Sequence, residues 1–327
     1  MYSEPPPVKP IVNILIVGTG QLGSRYLQGL AVCSTIIEIW CFDPSLDSLK
    51  TAKERWKEVE GSTTKHKIHW IQNFSELPKK IDLAIVVTTA DVRLQVMQAI
   101  SQYSTIRYLV LEKVLVQSSN QLDDLQQVIL DVEGAWVNTS RRMITWHQKL
   151  YDIIADSSAV KVYVGNNDWG LACNSIHFLD LVSWWSDEKL VSVDTSCLDR
   201  TWFESKRPGF FEITGILKAK YSCGSELILE SRTNGEGLLI HVKNLEGEWI
   251  IDEKNGIATG PKGKTIPGRI ENQSEMTARL VESILKSGQC ELPSFEESVQ
   301  IHRIFLQSML EHWNKIQNKN DSIFPIT

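Results

Sequence analysis

The chain has no apolar run long enough to cross a bilayer, no Cys-x-x-Cys pair, no excess of basic charge, and no repeated or low-complexity segment. Each absence removes a class of function. A membrane-spanning helix needs roughly 20 consecutive apolar residues, and none is found. The first residues, MYSEPPPVKP, lack the basic and apolar regions of a signal peptide and read as a short, mobile Pro-rich lead-in. The six cysteines (Cys33, Cys41, Cys173, Cys197, Cys223 and Cys290) are scattered. In a chain of 327 residues they read as reduced thiols of a cytoplasmic protein, not as a disulfide frame or a zinc site. A formal charge of −6 argues against nucleic acid or an anionic membrane as the main partner. His66, His69, His241, His302 and His312 form no ligand-spaced cluster, so no metal is assigned.

What is present begins at Ile11. The run IVNILIVGTGQLG is a short apolar strand that breaks into Gly18-x-Gly20-x-x-Gly23, with Asp43 about 20 residues further on. Here Gly18 suits a tight turn with φ > 0, Gly20 lets a pyrophosphate approach the backbone, and Gly23 lets the next helix pack closely on the strand. Thr19, Gln21 and Leu22 complete the loop, whose helix N-terminus would face the phosphates. A bare glycine triplet is weak evidence. Set between a strand and an amphipathic helix, with an acid at the expected distance, it is strong. Asp43 ends the second strand, EIWCF. A carboxylate there accepts hydrogen bonds from ribose hydroxyls and repels an added phosphate, which favours NAD over NADP. The same Asp-Pro-Ser also makes a good helix start, and the two roles can coexist.

Strand patterns at Lys67–Ile71, Asp82–Thr88, Arg107–Leu111 and Ala135–Asn138 alternate with helical patterns at Leu46–Val59, Val92–Tyr103 and Ser119–Leu130. Apolar strands alternating with helices predict a doubly wound parallel sheet covered on both faces. Ligands in such sheets lie beyond the strand carboxyl ends, where Thr88, Thr89, Glu112 and Lys113 fall. After residue 138 the character changes. A helix over Met143–Ala155, a strand over Val160–Gly165 and a helix over Ala172–Trp185 precede strand-like runs between Val191 and Ile251; helices over Ser274–Lys286 and Phe295–Trp313 close the chain. The predicted organisation is an α/β dinucleotide-binding domain (1–138) followed by an α+β substrate and oligomerisation domain (139–327) with an open, mostly antiparallel sheet.

Two side chains stand out for proton and hydride chemistry. Lys113, in LEKVLVQS, emerges at the cofactor edge and can donate a proton or hydrogen bond to a substrate oxygen; it reads equally well as a solvated charge paired with Glu112. In CNSIHFLD, helical spacing puts Cys173, His177 and Asp180 on one face. Histidine is the natural general base near neutral pH and Asp180 could orient its ring, but on its own the segment reads better as a buried helix with a core histidine. Arg141, Arg142, Trp146, His147 and Tyr151, with Trp202, Lys206 and Arg207 in the loop RTWFESKRPG, suit a polyhydroxylated and anionic ligand, although each singly reads as packing or solvated rim.

The glycine turn, Asp43, Glu112-Lys113, His177-x-x-Asp180 and the closing pattern LPSFEESVQIHRIFLQSMLEHWN together resemble the glucose–fructose oxidoreductase, inositol dehydrogenase and MocA family, over almost the whole chain. The resemblance implies an NAD(P)-dependent dehydrogenase or reductase acting on a ring hydroxyl or ketone of a sugar, sugar derivative or cyclitol. Lys113 then matches the lysine of the family's Glu-Lys-Pro motif and His177 its catalytic histidine. Arg142, Trp146, Asn174 and Asp180 are the expected substrate contacts. Two departures stand against the pattern. Val114 replaces the proline; a cis bond before a residue other than proline costs about 2.5–4 kcal/mol, so a trans peptide and some shift of Lys113 are expected. Cys173 occupies the place of the family's first catalytic aspartate, which motivates a second reading: an NAD-binding sensor or assembly protein with impaired catalysis. An exposed sheet face in the second domain predicts a homodimer or homotetramer.

Overall fold

The computed structural model describes residues 11–60, 65–155, 159–233 and 237–327; the N-terminal lead-in lies outside them. The first half alternates strand and helix: β1 (Val12–Val17), α1 (Gly23–Leu30), β2 (Ile37–Phe42), α2 (Leu46–Glu60), β3 (Lys67–Ile71), β4 (Lys80–Val86), α3 (Ala90–Ser101), β5 (Thr105–Glu112), α4 (Ser119–Val128) and β6 (Gly134–Asn138). The strands form one parallel sheet in the order β3-β2-β1-β4-β5-β6. Ile14 to Val17 of β1 and Leu83 to Val86 of β4 are wholly buried, as a sheet covered on both faces requires. The chain order reverses between β1 and β4, and a crevice opens there beyond the carboxyl ends. Val17 pairs with Phe42 and with Val86, so Gly18, Asp43 and Val87 leave the sheet at one edge.

The second half contains α5 (Thr145–Ile154), β7 (Lys161–Asn167), α6 (Leu171–Ser186), β8 (Leu190–Leu198), β9 (Phe203–Glu204), β10 (Phe211–Glu212), β11 (Gly215–Tyr221), β12 (Glu226–Ser231), β13 (Leu239–Asn244), β14 (Gly247–Asp252), β15 (Ile257–Thr259), β16 (Thr265–Pro267), α7 (Gln273–Ser287) and α8 (Phe295–Gln317). Eight of these strands build a sheet in the order β16-β15-β14-β13-β7-β12-β11-β8, antiparallel except for β7 and β12. The last two helices return to the first sheet. Gly29 of α1 packs so closely on α7 that a Cβ there would lie 2.5 Å from the Ser274 carbonyl oxygen. Val137 of β6 donates to the Pro293 carbonyl at 3.1 Å, just ahead of α8.

Strands β9 and β10 form a separate hairpin, pairing Phe203 with Glu212 and Glu204 with Phe211. It is anchored by aromatic packing: Trp202 lies edge-on to Trp313 at 5.4 Å and to Phe324 at 5.2 Å. Phe211 N–H donates to the Pro325 carbonyl, and Gln117 Nε2 donates to the Ile326 carbonyl, both at 3.0 Å. These contacts bring the hairpin and residues 324–327 over the crevice of the first sheet.

Candidate active site

The glycine loop is shaped by backbone contact. Gly18 has φ +85°, and a Cβ on it would meet the Val87 carbonyl at 3.1 Å. A Cβ on Gly23 would stand 1.8 Å from the Gly18 carbonyl oxygen, so only glycine lets α1 start this close to the turn. At Gly20 a Cβ would find no atom within 4 Å. That open side faces a cavity of about 560 Å³, a cradle of the kind a pyrophosphate enters.

The same cavity is lined by Gln21, Leu22, Asp43, Thr88, Thr89, Glu112 and Lys113. Thr19 does not line it. It is buried and donates from its backbone N–H to Asp43 Oδ2 at 2.8 Å, while Asp43 Oδ1 accepts from Ser45 N–H at 2.9 Å. Asp43 therefore ties the glycine loop to the start of α2 and still presents carboxylate lone pairs to the cavity. Phe74, stacked on Phe42 at 3.9 Å, adds an aromatic wall at that end.

Glu112 is 6% exposed. Its Oε1 accepts from the Tyr26 hydroxyl at 2.7 Å and from Asn138 Nδ2 at 2.6 Å, and burial raises its carboxyl above the ordinary range. Lys113 is not its ion-pair partner. Lys113 Nζ donates instead to the Cys173 carbonyl in α6, at 3.0 Å. The Lys113–Val114 peptide is cis, contrary to the trans bond the sequence predicts. The segment is held from outside by the buried Arg93 of α3, whose guanidinium donates to the carbonyls of Val114, Thr88 and, at 2.8 Å, Leu115. Tertiary contacts, not the local preference at Val114, fix the path of this loop.

Lys113, Arg207 and Thr327 also line a second cavity of about 520 Å³, walled by the β9–β10 hairpin and the start of α6. Of the expected substrate contacts, Asn174 lies on this wall; its Nδ2 donates to the Trp169 carbonyl at 2.7 Å. The other three lie elsewhere. Arg142 and Asp180 are buried and hold each other through bonds of 2.6 and 3.0 Å, with Thr139 Oγ1 on the same carboxylate at 2.6 Å. Trp146 is buried against Gly268 and borders a different, shallow groove. Asp180 is thus engaged by Arg142 and does not orient His177.

His177 follows Cys173 by one turn of α6 and lines neither cavity. Burial, then the positive charges of Lys113 and Arg141, hold its imidazole well below its ordinary pKa, so it is neutral at physiological pH. Its Nδ1 is buried without a hydrogen-bond partner. The Cys173 thiol is pushed up to about 12 by burial and stays protonated. The amides of Ala172 and Cys173, at the start of α6, donate to Glu212 of β10 at 2.8 and 3.1 Å.

Two of these features escape a reading of the sequence for different reasons. Arg93 left a signal: it stands in the buried stripe Ala90, Leu94, Met97 and Ile100 of α3, where a charge needs partners. Glu212 left none, since it belongs to a two-residue strand outside any motif.

Lys113 thus stands between the crevice of the doubly wound sheet and a second cavity walled by the β9–β10 hairpin and the start of α6. No family model and no curated protein matches the sequence. Solved structures do match the fold. Scyllo-inositol dehydrogenase from Lactobacillus casei with bound NAD(H) and scyllo-inositol superposes with a TM-score of 0.67 at 17% identity, over 95% of this chain and 98% of that one. UDP-N-acetylglucosamine 3-dehydrogenase from Acidithiobacillus ferrooxidans gives 0.67 at 14% identity, over 91% and 96%. The transcriptional regulator Gal80p from Kluyveromyces lactis gives 0.71 at 14%, over 94% and 90%.

Proposed function

We propose that the chain is an NAD-dependent oxidoreductase that acts on a ring hydroxyl or ketone of a sugar, sugar derivative or cyclitol. The observation that carries this reading is Lys113, an ammonium on the wall common to the glycine-lined cavity and the second cavity. The open side of Gly20 fits a diphosphate, and Asp43 favours the unphosphorylated ribose of NAD. When bound, the nicotinamide would supply or accept the hydride. Lys113 would then hold and polarise the reacting oxygen, and neutral His177 would support it from the next turn of α6. The side chains of Lys206 and Arg207 make no hydrogen bond or ion pair among the described residues, which supports a substrate that carries an anionic group as well as hydroxyls.

The neutral Cys173 thiol, and the likeness in fold to a structure described as a transcriptional regulator, support a second reading, an NAD-binding sensor without turnover. Mass spectrometry of the cofactor that copurifies, followed by titration of the stripped protein with NAD, tests both readings. Tight NAD binding is expected, and no affinity for any dinucleotide would end them.

We further take residues 1–138 as the cofactor domain and 139–327 as the substrate domain, working in the cytoplasm, where six unpaired thiols stay reduced. Ile250, His241, Tyr163 and Ile228 form one cross-strand row on the outer face of the second sheet, which supports a homodimer or homotetramer. Light scattering at dilute concentration tests the association; a monomer would contradict it.

A further inference from the structure

Three carboxylate side chains border the second cavity, and they are not equivalent. Asp168 is exposed and accepts from Gly170 N–H at 3.4 Å, and Glu204 is exposed and accepts from Gly209 N–H at 2.8 Å. Glu212 alone of the three is buried, at 6% exposure. Its Oε2 accepts from Ala172 N–H and its Oε1 from Cys173 N–H. A carboxylate offers about four lone-pair directions, so two remain after these bonds. Lys113 holds the carbonyl end of the same residue, Cys173, so the ammonium and the carboxylate flank one stretch of backbone on one cavity wall.

Resting on the oxidoreductase reading, we propose that Glu212 is the group that exchanges the substrate's hydroxyl proton, a role that neither His177 nor Cys173 is fitted to fill. In the oxidation direction the O–H bond breaks and its proton passes to the Glu212 carboxylate. The adjacent carbon gives up its hydride to the oxidised nicotinamide named above, and the carbon–oxygen double bond forms; reduction returns the same proton. Protonation of Glu212 is eased by burial, which raises its carboxyl above the usual range, while the Cys173 thiol, the two α6 amides and then the charge of Lys113 favour the ionised form. The other charged or titratable groups on the cavity wall are Cys173, whose thiol is neutral, and Asp168, Glu204, Lys206 and Arg207.

A helix cap would make the same two amide contacts, so the test must separate proton exchange from capping. The full-length protein and its Glu212→Gln variant are mixed with scyllo-inositol, D-glucuronate or UDP-N-acetylglucosamine, with and without NAD. Formation of reduced nicotinamide is followed against pH. The wild-type rate should fall on the acid side as Glu212 takes up a proton. Glu212→Gln should lose about 100-fold or more in rate, together with that acid limb. Adding Cys173→Asp to Glu212→Gln, which returns a carboxylate beside position 212, should recover about tenfold or more of the lost rate.

A variant within about threefold of wild type, or a slower one that keeps the acid limb, would overturn the proposal and leave the oxidoreductase reading standing. If wild type reduces no cofactor with any probe, that reading fails. The Glu212 proposal, which rests on that reading, then falls with it.

Discussion

Lys113 and Glu212 hold the two polar ends of a single residue. Lys113 Nζ donates to the Cys173 carbonyl at 3.0 Å, and Glu212 Oε1 accepts from the Cys173 amide at 3.1 Å. The two side chains come from the carboxyl end of β5 and from the hairpin of the second half, so the start of α6 ties the two halves together. Chemistry that needs a cation and a carboxylate on one substrate oxygen is thereby assembled from distant parts of the chain.

Arg93 should be the main support of Lys113. Its guanidinium serves the carbonyls of Thr88, Val114 and Leu115 from a buried position. Arg93→Met should cost about 3 kcal/mol or more, because buried acceptors lose their donor. Turnover should fall further than affinity for NAD does. Denaturant unfolding and steady-state kinetics on the same preparation check this; a destabilised variant with normal turnover would show that Arg93 is structural only.

The glycine loop predicts two opposite phenotypes. Gly23→Ala forces a Cβ to within 1.8 Å of the Gly18 carbonyl oxygen and should destabilise the fold by about 1–3 kcal/mol. Gly20→Ala meets no protein atom within 4 Å, so stability should be nearly unchanged while NAD binding weakens. Thermal unfolding and NAD titration of both variants are the measurements. Equal stability loss at the two positions would contradict the assigned geometry.

Asp43 should set the cofactor preference. Asp43→Ser removes the carboxylate shared by Thr19 and Ser45 and leaves no anion facing the cavity there. Affinity for NAD should drop about tenfold, the scale of a charged hydrogen bond, and the discrimination against NADP should shrink. An unchanged NAD-to-NADP ratio would remove Asp43 from recognition.

His302, buried in α8 with Nδ1 2.8 Å from the Ser298 carbonyl, has its pKa driven down to about 3 by burial. The unfolded chain binds this proton near its ordinary pKa of about 6.5, so between those values the unfolded state holds more protons. Stability from this group is therefore full above about pH 6.5 and is lost as pH falls toward 3. His302→Gln should flatten the wild-type slope by a total on the order of a few kcal/mol. Unfolding midpoints measured across that range check it, and parallel slopes would contradict it.

Much of the fold was legible because its signals are local. The buried run before Gly18, the alternation of apolar strands with helical stripes and the position of Asp43 each lie within a single βαβ unit. The strand expected to reach Thr88 stops at Val86, where the backbone turns to form the crevice. The second half was readable only in outline, since one of its strand pairs, β7 with β12, is parallel and formed by distant segments. The position of Lys113 just past a strand end was legible from the alternation of strands and helices. The pairing of Asp180 with Arg142 was not legible, because helical spacing identifies the face Asp180 shares but not what covers it. Glu212 and the cis bond after Lys113 are set by partners remote in sequence, which no local pattern records.

On the proposed function, a hydride moves at an oxygen held by Lys113. Its most direct test is the appearance of reduced-nicotinamide absorbance when NAD and the three polyhydroxylated probes are mixed with wild type and with Lys113→Ala. Turnover is expected in wild type, with a loss of about 100-fold or more in Lys113→Ala and NAD affinity little changed. Equal rates in the two proteins, or no reduction by wild type with any probe, would contradict it.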